Sequence, residues 1–124
     1  MCGIAGYIGN KNFIINKFQE NKLINIMSSR GPDGKGIYKN KLGKKTFIKL
    51  FHTRLSIIDP LERSHQPFQD DKGVLSYNGM IYNFKEIKKK LRGKGIKFLT
   101  NSDTEVLLKF LNYYGIEKID QLEG

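Results

Sequence analysis

The tightest constraint on this chain lies in its first nine residues. Gly3-Ile4-Ala5-Gly6-Tyr7-Ile8-Gly9 is a short apolar run with three glycines, and it predicts a buried strand over Gly3–Gly9. Glycines in a strand let other backbone or a ligand come close. Directly before it stands Cys2, the one cysteine among 124 residues. A residue this small permits removal of Met1, which would leave Cys2 first, with a thiol and a free α-amine a few bonds apart. An α-amine ordinarily titrates at about 7.7–8.0 and a thiol at about 8.5, so near neutrality such an amine can serve as the thiol's base. A nucleophile beside its own base is a recurring solution for acyl transfer. Taken alone, a cysteine after the start codon is better read as chance; the residues downstream reverse that.

The length suits one domain with a modest core, and 39% hydrophobic with 27% charged residues describes an ordinary globular chain. A net charge of +10 raises a nucleic-acid reading. Arg30, Arg54, Arg63 and Arg92 are the arginines, however, and the other basic residues are lysines scattered through Asn- and Ile-rich sequence. The densest group, Lys85, Lys88, Lys89, Lys90, Arg92 and Lys94, fits the solvated face of a helix, so no nucleic-acid partner is expected. A lone Cys2 excludes an intramolecular disulfide and points to a reducing compartment. The chain shows no signal peptide and no apolar stretch of membrane-spanning length, so the expectation is cytoplasmic, with no membrane partner. His52 and His65, without clustered thiols or carboxylates, predict no metal site, and no Walker-type phosphate loop is present.

Along the chain, Asn10–Asn16 is expected as a loop and Lys17–Ser29 as a helix, with Leu23, Ile26 and Met27 on one face. Arg30-Gly31-Pro32-Asp33-Gly34 stops it, since proline disfavours helix before it and glycine permits positive φ. Gly36–Tyr38 and Thr46–Thr53 predict two strands joined by the turn Asn40-Lys41-Leu42-Gly43, the second running on into Arg54–Asp59. Pro60–Pro67 is a loop. Asp70–Gly73 is a turn launching a strand over Val74–Tyr77, with Ile81-Tyr82 a possible extension. Asn83 suits the cap of a helix burying Phe84, Ile87 and Leu91, closed by Gly93 and Gly95. Ile96–Leu99 predicts a short strand. Ser102-Asp103-Thr104-Glu105 has capping-box spacing before a helix with Val106, Leu107, Phe110 and Leu111 inward and Gly115 as its C′ residue. Ile116–Gly124 begins another short helix. The pattern is α+β with hairpins, without βαβ alternation.

A thiol attacking a carbonyl also needs oxyanion donors and groups that recognise the rest of the substrate. Asn78-Gly79 offers a side-chain amide plus an unshielded backbone N–H, but taken alone it is better read as a turn dipeptide. Arg54, among Leu55, Ile57 and Ile58, needs a carboxylate, from a substrate or from a structural ion pair. Asp103 reads as a ligand group or as a first-turn acid complementing the helix dipole.

Six segments in order carry a resemblance over essentially the whole chain: Met1-Cys2-Gly3-Ile4-Ala5-Gly6; Arg30-Gly31-Pro32-Asp33-Gly34 with Gly36; His52-Thr53-Arg54-Leu55-Ser56-Ile57-Ile58-Asp59; His65-Gln66-Pro67; Tyr77-Asn78-Gly79 with Ile81-Tyr82-Asn83; and Ser102-Asp103-Thr104-Glu105. Together they resemble the glutaminase domain of the class II glutamine amidotransferases, and within that group the asparagine synthetases. Each segment is weak alone; six in order are specific. The resemblance implies an N-terminal-nucleophile αββα sandwich over residues 1–124, incomplete in its second sheet. It implies Cys2 as nucleophile with its α-amine as base, and Asn78 and Gly79 as the oxyanion hole. Arg54 would then hold the α-carboxylate of L-glutamine and Asp103 its α-ammonium, with Leu55, Ser56, Ile57, Ile58 and Met80 lining the site. An Arg and an Asp are what a zwitterionic amino acid asks for.

Met80 departs from the family, where asparagine synthetases usually carry Glu; a backbone contact survives that change and a side-chain contact does not. The resemblance also implies a synthetase domain or subunit with ATP, Mg²⁺ and an aspartate site, absent from these residues, and no cofactor within them. Strands the family adds after Gly124 lead to the expectation of marginal stability and weak activity for these residues alone. The alternatives are a non-catalytic remnant or partner-dependent module, and an amidotransferase with a different acceptor.

Overall fold

The structure is a computed structural model that describes residues 1–10 and 15–124. Within the expected loop Asn10–Asn16, residues 11–14 lie outside the described residues. The chain forms two compact units: Met1–Ser56 with His65–Pro67 and Ser76–Asn78, and Ile57–Ser64 with Phe68–Leu75 and Gly79–Gly124.

The first unit is a three-stranded antiparallel sheet in the order β1 (Gly3–Gly9), β3 (Thr46–Arg54), β2 (Gly34–Leu42), with helix α1 (Lys17–Ser28) packed on one face. Register runs Gly3 opposite Thr53 to Gly9 opposite Phe47 on one side of β3, and Gly34 opposite Arg54 to Leu42 opposite Thr46 on the other. Strand alternation then decides the core. Ala5, Tyr7 and Phe51 face Ile24 and Met27 of α1, while Ile4 and Ile8 on the opposite face are 45% and 66% exposed. Asn16 caps α1 through a reciprocal pair with Gln19, each side chain accepting the other's backbone N–H at 2.9 Å. Glu20, buried on α1, pairs with Lys49 of β3. The hairpin strands are longer than expected, so the turn moves from residues 40–43 to Gly43–Lys45, with Gly43 at φ 68°.

The second unit packs α2 (Phe84–Gly93) against α3 (Asp103–Tyr114) around Ile87, Leu91, Val106 and Phe110. A small ribbon pairs β4 (Phe68–Gln69) with β5 (Val74–Leu75). The expected strand over 74–77 is thus shorter, because Ser76 and Tyr77 pair through side chains of other segments instead of a ladder. Asp70 closes the turn of that ribbon by accepting from Lys72 and Gly73 N–H groups, and its far side meets Lys109 and Asn112 of α3. Gly115, at φ 84°, ends α3 and opens the short 3₁₀ helix Ile116–Gln121.

Several local expectations are corrected. Ile81-Tyr82 extends no strand: Ile81 N–H goes to Asp103 and Tyr82 N–H to the Glu123 carbonyl at 2.6 Å. Asn83 makes no side-chain cap hydrogen bond to α2, its amide being spent on Gln121 and Glu123. Ile96–Leu99 is not a strand, since the N–H groups of Leu99 and Thr100 go to the Glu105 carboxylate. That same use of Glu105 leaves the capping box at Ser102 unclosed: Ser102 Oγ accepts from Thr104 N–H at 3.0 Å.

Gly36 lies under the Gln66 backbone, where a Cβ would run into the Gln66 carbonyl oxygen and stand 3.2 Å from Pro67 Cδ. Overpacking of backbone against backbone has no side chain to give way, so Gly36→Ala is expected to cost about 1–3 kcal/mol. Gly93, at the end of α2, has open space where its Cβ would go, and Gly93→Ala should stabilise by up to about 1 kcal/mol. Urea midpoints of the two variants at one pH check both signs.

Candidate active site

Cys2 is held at three atoms, all within the first unit. Its backbone N–H donates to Asn78 Oδ1 at 3.1 Å, its carbonyl accepts from Arg30 Nε at 3.2 Å, and its Sγ lies 3.4 Å from the Leu55 N–H. The half-buried sulfur also lies 3.9 Å from the Leu55 carbonyl. Because Oδ1 is the acceptor toward Cys2, the amide of Asn78 keeps its –NH₂ end as donor. Asn78 is exposed, so that donor is reachable from solvent.

The segment Arg30–Gly34 does more than stop α1. Gly31 lies flat on the Thr53–Arg54 peptide, where a Cβ would collide with the Thr53 carbonyl. Asp33 then straddles Leu55: its N–H donates to the Arg54 carbonyl at 3.0 Å and its Oδ2 accepts from Ser56 N–H at 2.7 Å. Leu55 therefore presents its N–H to sulfur from a backbone fixed on both sides. Arg54, the last residue of β3, is buried.

His52, fully buried two residues earlier, pairs its Nδ1 with Ser76 Oγ at 2.9 Å. Burial, with Arg54 adding to it, lowers its pKa to about 4. Gln66, also buried, accepts the Tyr77 N–H on its Oε1 at 2.6 Å.

The second unit holds the other residues singled out. Asp103 is buried at the start of α3, and its Oδ2 accepts from Ile81 N–H at 3.2 Å, two residues past the exposed Gly79 and next to the half-buried Met80. The loop entering α3 is fixed on three sides. Glu105, fully buried, accepts from Leu99 N–H, from Thr100 N–H and from Thr100 Oγ1. Lys88 donates to the Thr100 carbonyl at 2.7 Å and to Asn101 Oδ1 at 3.0 Å, and burial followed by the nearby Arg92 lowers its pKa. Asp59, at φ 48°, accepts from Asn101 N–H at 2.7 Å. Ile58 is half-buried beside it and Ile57 is 66% exposed. Among the described residues no group of three or more His, Cys, Asp or Glu side chains is placed to hold a metal ion, and no helix is long and apolar enough to cross a membrane.

Of the residues the sequence singled out, the first unit brings Cys2, Leu55 and Asn78 together, with Arg54 and Ser56 flanking Leu55. The second unit holds Gly79, Met80, Ile57, Ile58 and Asp103. Sequence reasoning missed Arg30, Asp33, Asp59, Gln66 and Glu105. Each lay inside a motif already noticed, but as turn, loop or cap chemistry. Nothing in a linear pattern says that Arg30 reaches back 28 residues to a carbonyl.

A cysteine with its sulfur at a backbone N–H and its nitrogen at a carboxamide, on an α+β scaffold, presents groups of the kind used to attack a carbonyl carbon. Among known families, the glutamine amidotransferase domain matches residues 1–124. The chain belongs to this glutamine amidotransferase family. It is 35% identical over its full length to a putative glutamine-hydrolysing asparagine synthetase 2 of Methanocaldococcus jannaschii, covering 26% of that protein. It is 36% identical over its full length to asparagine synthetase 1 of Arabidopsis thaliana, covering 20%, and 29% identical to the amidase chry2 of Gibberella zeae, again covering 20%. The chain thus spans about a fifth to a quarter of the length of these relatives.

The lowered pKa of His52 has a measurable consequence. A histidine held neutral in the fold but protonated at about 6.5 when unfolded favours the native state fully above pH 6.5. That contribution, about 3 kcal/mol for a shift to about 4, is lost as pH falls from 6.5 toward 4. His52→Gln should flatten the stability profile in that window, read by urea denaturation at pH steps; an unchanged slope would contradict the assignment.

Proposed function

We propose that the chain hydrolyses L-glutamine to glutamate and ammonia, with Cys2 as nucleophile once Met1 is removed. The observation that carries the reading is the three-point hold on Cys2, which leaves its sulfur beside the Leu55 N–H and its nitrogen on Asn78. In the mature chain that nitrogen is an α-amine. It takes the thiol proton as sulfur bonds to the carboxamide carbon, and the carbonyl oxygen turns toward Asn78 Nδ2 and the Gly79 N–H. The protonated amine then returns its proton to the leaving nitrogen, the C–N bond breaks and ammonia departs. Water, deprotonated by the same amine, cleaves the γ-glutamyl thioester to glutamate and regenerates the thiol.

In this reading Arg54 receives the substrate α-carboxylate and Asp103 the α-ammonium, a charge pair suited to a free amino acid. Leu55, Ser56, Ile57 and Ile58 line the pocket and Met80 contributes backbone. The apolar face carrying Ile4 and Ile8 suits the inner surface of an αββα sandwich. We further infer that the ammonia passes to aspartate, activated with ATP and Mg²⁺ on a synthetase domain or subunit in the cytoplasm. Similarity to asparagine synthetases of three lineages supports that acceptor.

The test combines mass and kinetics. Intact mass is expected to show loss of Met1 and one adduct on Cys2 from a diazo-ketone analogue of glutamine; a Cys2 no more reactive than in denatured chain would sink the reading. Cys2→Ala should abolish glutamate release. Asn78→Ala should lower kcat by about 10²–10³-fold, the usual effect of deleting one oxyanion donor.

A further inference from the structure

We propose that Gln66 is a positioning residue for the oxyanion hole: it holds the Tyr77 amide, and through it the backbone that carries Asn78. The proposal rests on the glutaminase reading above and goes beyond it, since that reading gives Gln66 no role.

The chain of contacts is continuous and lies wholly in the first unit. Residues 65–67 sit against the bare backbone of β2: a Cβ on Gly34 would stand 2.7 Å from His65 Nε2, and one on Gly36 would strike the Gln66 carbonyl. The Gln66 backbone is thereby fixed to the sheet that also carries Cys2 at the head of β1. From that anchor the buried side chain accepts the Tyr77 N–H at 2.6 Å. Asn78 is the next residue, and its Oδ1 meets Cys2 N at 3.1 Å.

The need for such an anchor is visible in the backbone. Ser76–Asn78 belongs to no strand, and its predicted ladder is absent. Regular pairing would have fixed these residues through repeated backbone hydrogen bonds; here the Gln66 acceptor takes that place on one side and His52 holds Ser76 Oγ on the other. Asn78 is exposed, so packing around its side chain does little to define its position. An oxyanion donor acts only when preorganised, and an error of about 1 Å in a catalytic group costs on the order of 10²-fold. Gln66 thus sets the geometry of the donor through the Tyr77 N–H.

Two variants test this by different routes. Gln66→Leu removes the acceptor at similar volume. Replacing Tyr77 by the corresponding α-hydroxy acid removes only its N–H, leaving every side chain in place, and keeps the test open if Gln66→Leu fails to fold. Both are expected to lower glutaminase kcat by about 10- to 100-fold while KM for glutamine stays within about threefold. Gln66→Glu, which retains an acceptor oxygen, should recover most of the rate.

The readout that a merely structural role would leave alone is affinity for L-glutamate γ-semialdehyde. Cys2 sulfur adds to its aldehyde carbon as the C=O π bond opens, and the oxygen, which gains the thiol proton, occupies the position of the developing oxyanion. Its inhibition constant should rise by the same factor as kcat falls, with that for glutamate unchanged. Equal weakening of both, or wild-type kcat in the ester variant, overturns the positioning role. A wild-type chain that neither reacts with the aldehyde nor releases glutamate overturns the glutaminase reading itself, and the proposal with it.

Discussion

Antiparallel pairing of β1 with β3 sets Gly3 against Thr53, and the geometry around Cys2 depends on that register. One residue outward on each strand come Cys2 and Arg54, and the next residue of β3's extension is Leu55, whose N–H meets the sulfur. A slip by one position would send every side chain of β1 to the other face, turning Ala5 and Tyr7 away from α1. The burial that stabilises the first unit and the placement of its thiol are therefore one constraint.

Around that register the unit uses bare backbone as a packing surface. Gly31 lies on the Thr53–Arg54 peptide, and Gly34 and Gly36 receive residues 65–66. These contacts bring four segments that are distant in sequence against the end of one sheet: residues 1–2, 30–34, 54–56 and 76–78. Polar side chains then fix the irregular backbone between them, Asp33 about Leu55, Gln66 at Tyr77 and His52 at Ser76. A buried acceptor such as Gln66 Oε1 is costly unless satisfied, and a satisfied one holds a segment in a single arrangement. The second unit repeats the device: Glu105, Lys88 and Asp59 hold residues 99–101, two residues before Asp103.

The expectations that failed share a cause. Ile96–Leu99 and Val74–Tyr77 have strand composition, and Ser102–Glu105 has capping-box spacing, yet each is overridden by a hydrogen-bond partner from elsewhere. Glu105 alone accounts for two of these departures, since its carboxylate is spent on Leu99 and Thr100 and not on the N-cap. Asn83 looked like a cap because its type and position suited one, and its amide went to the segment at residues 121–123 instead. Periodicity reports which face is apolar; it carries no information on which distant donor reaches a given acceptor.

What the sequence determined by itself were the elements with strong local physics. They are the glycine-bearing strand at Gly3–Gly9, the helix closed by Arg30–Gly34, and the two helices with Ile87, Leu91, Val106 and Phe110 inward. Local sterics, side-chain periodicity and chemical identity are written residue by residue. Only the tertiary structure decided which groups meet: Arg30 at the Cys2 carbonyl, Leu55 at its sulfur, Asn78 at its nitrogen and Gln66 at the Tyr77 N–H. Those contacts span from 11 to 76 residues of chain, and they follow from sheet register and close backbone approach, which no short stretch of sequence specifies alone.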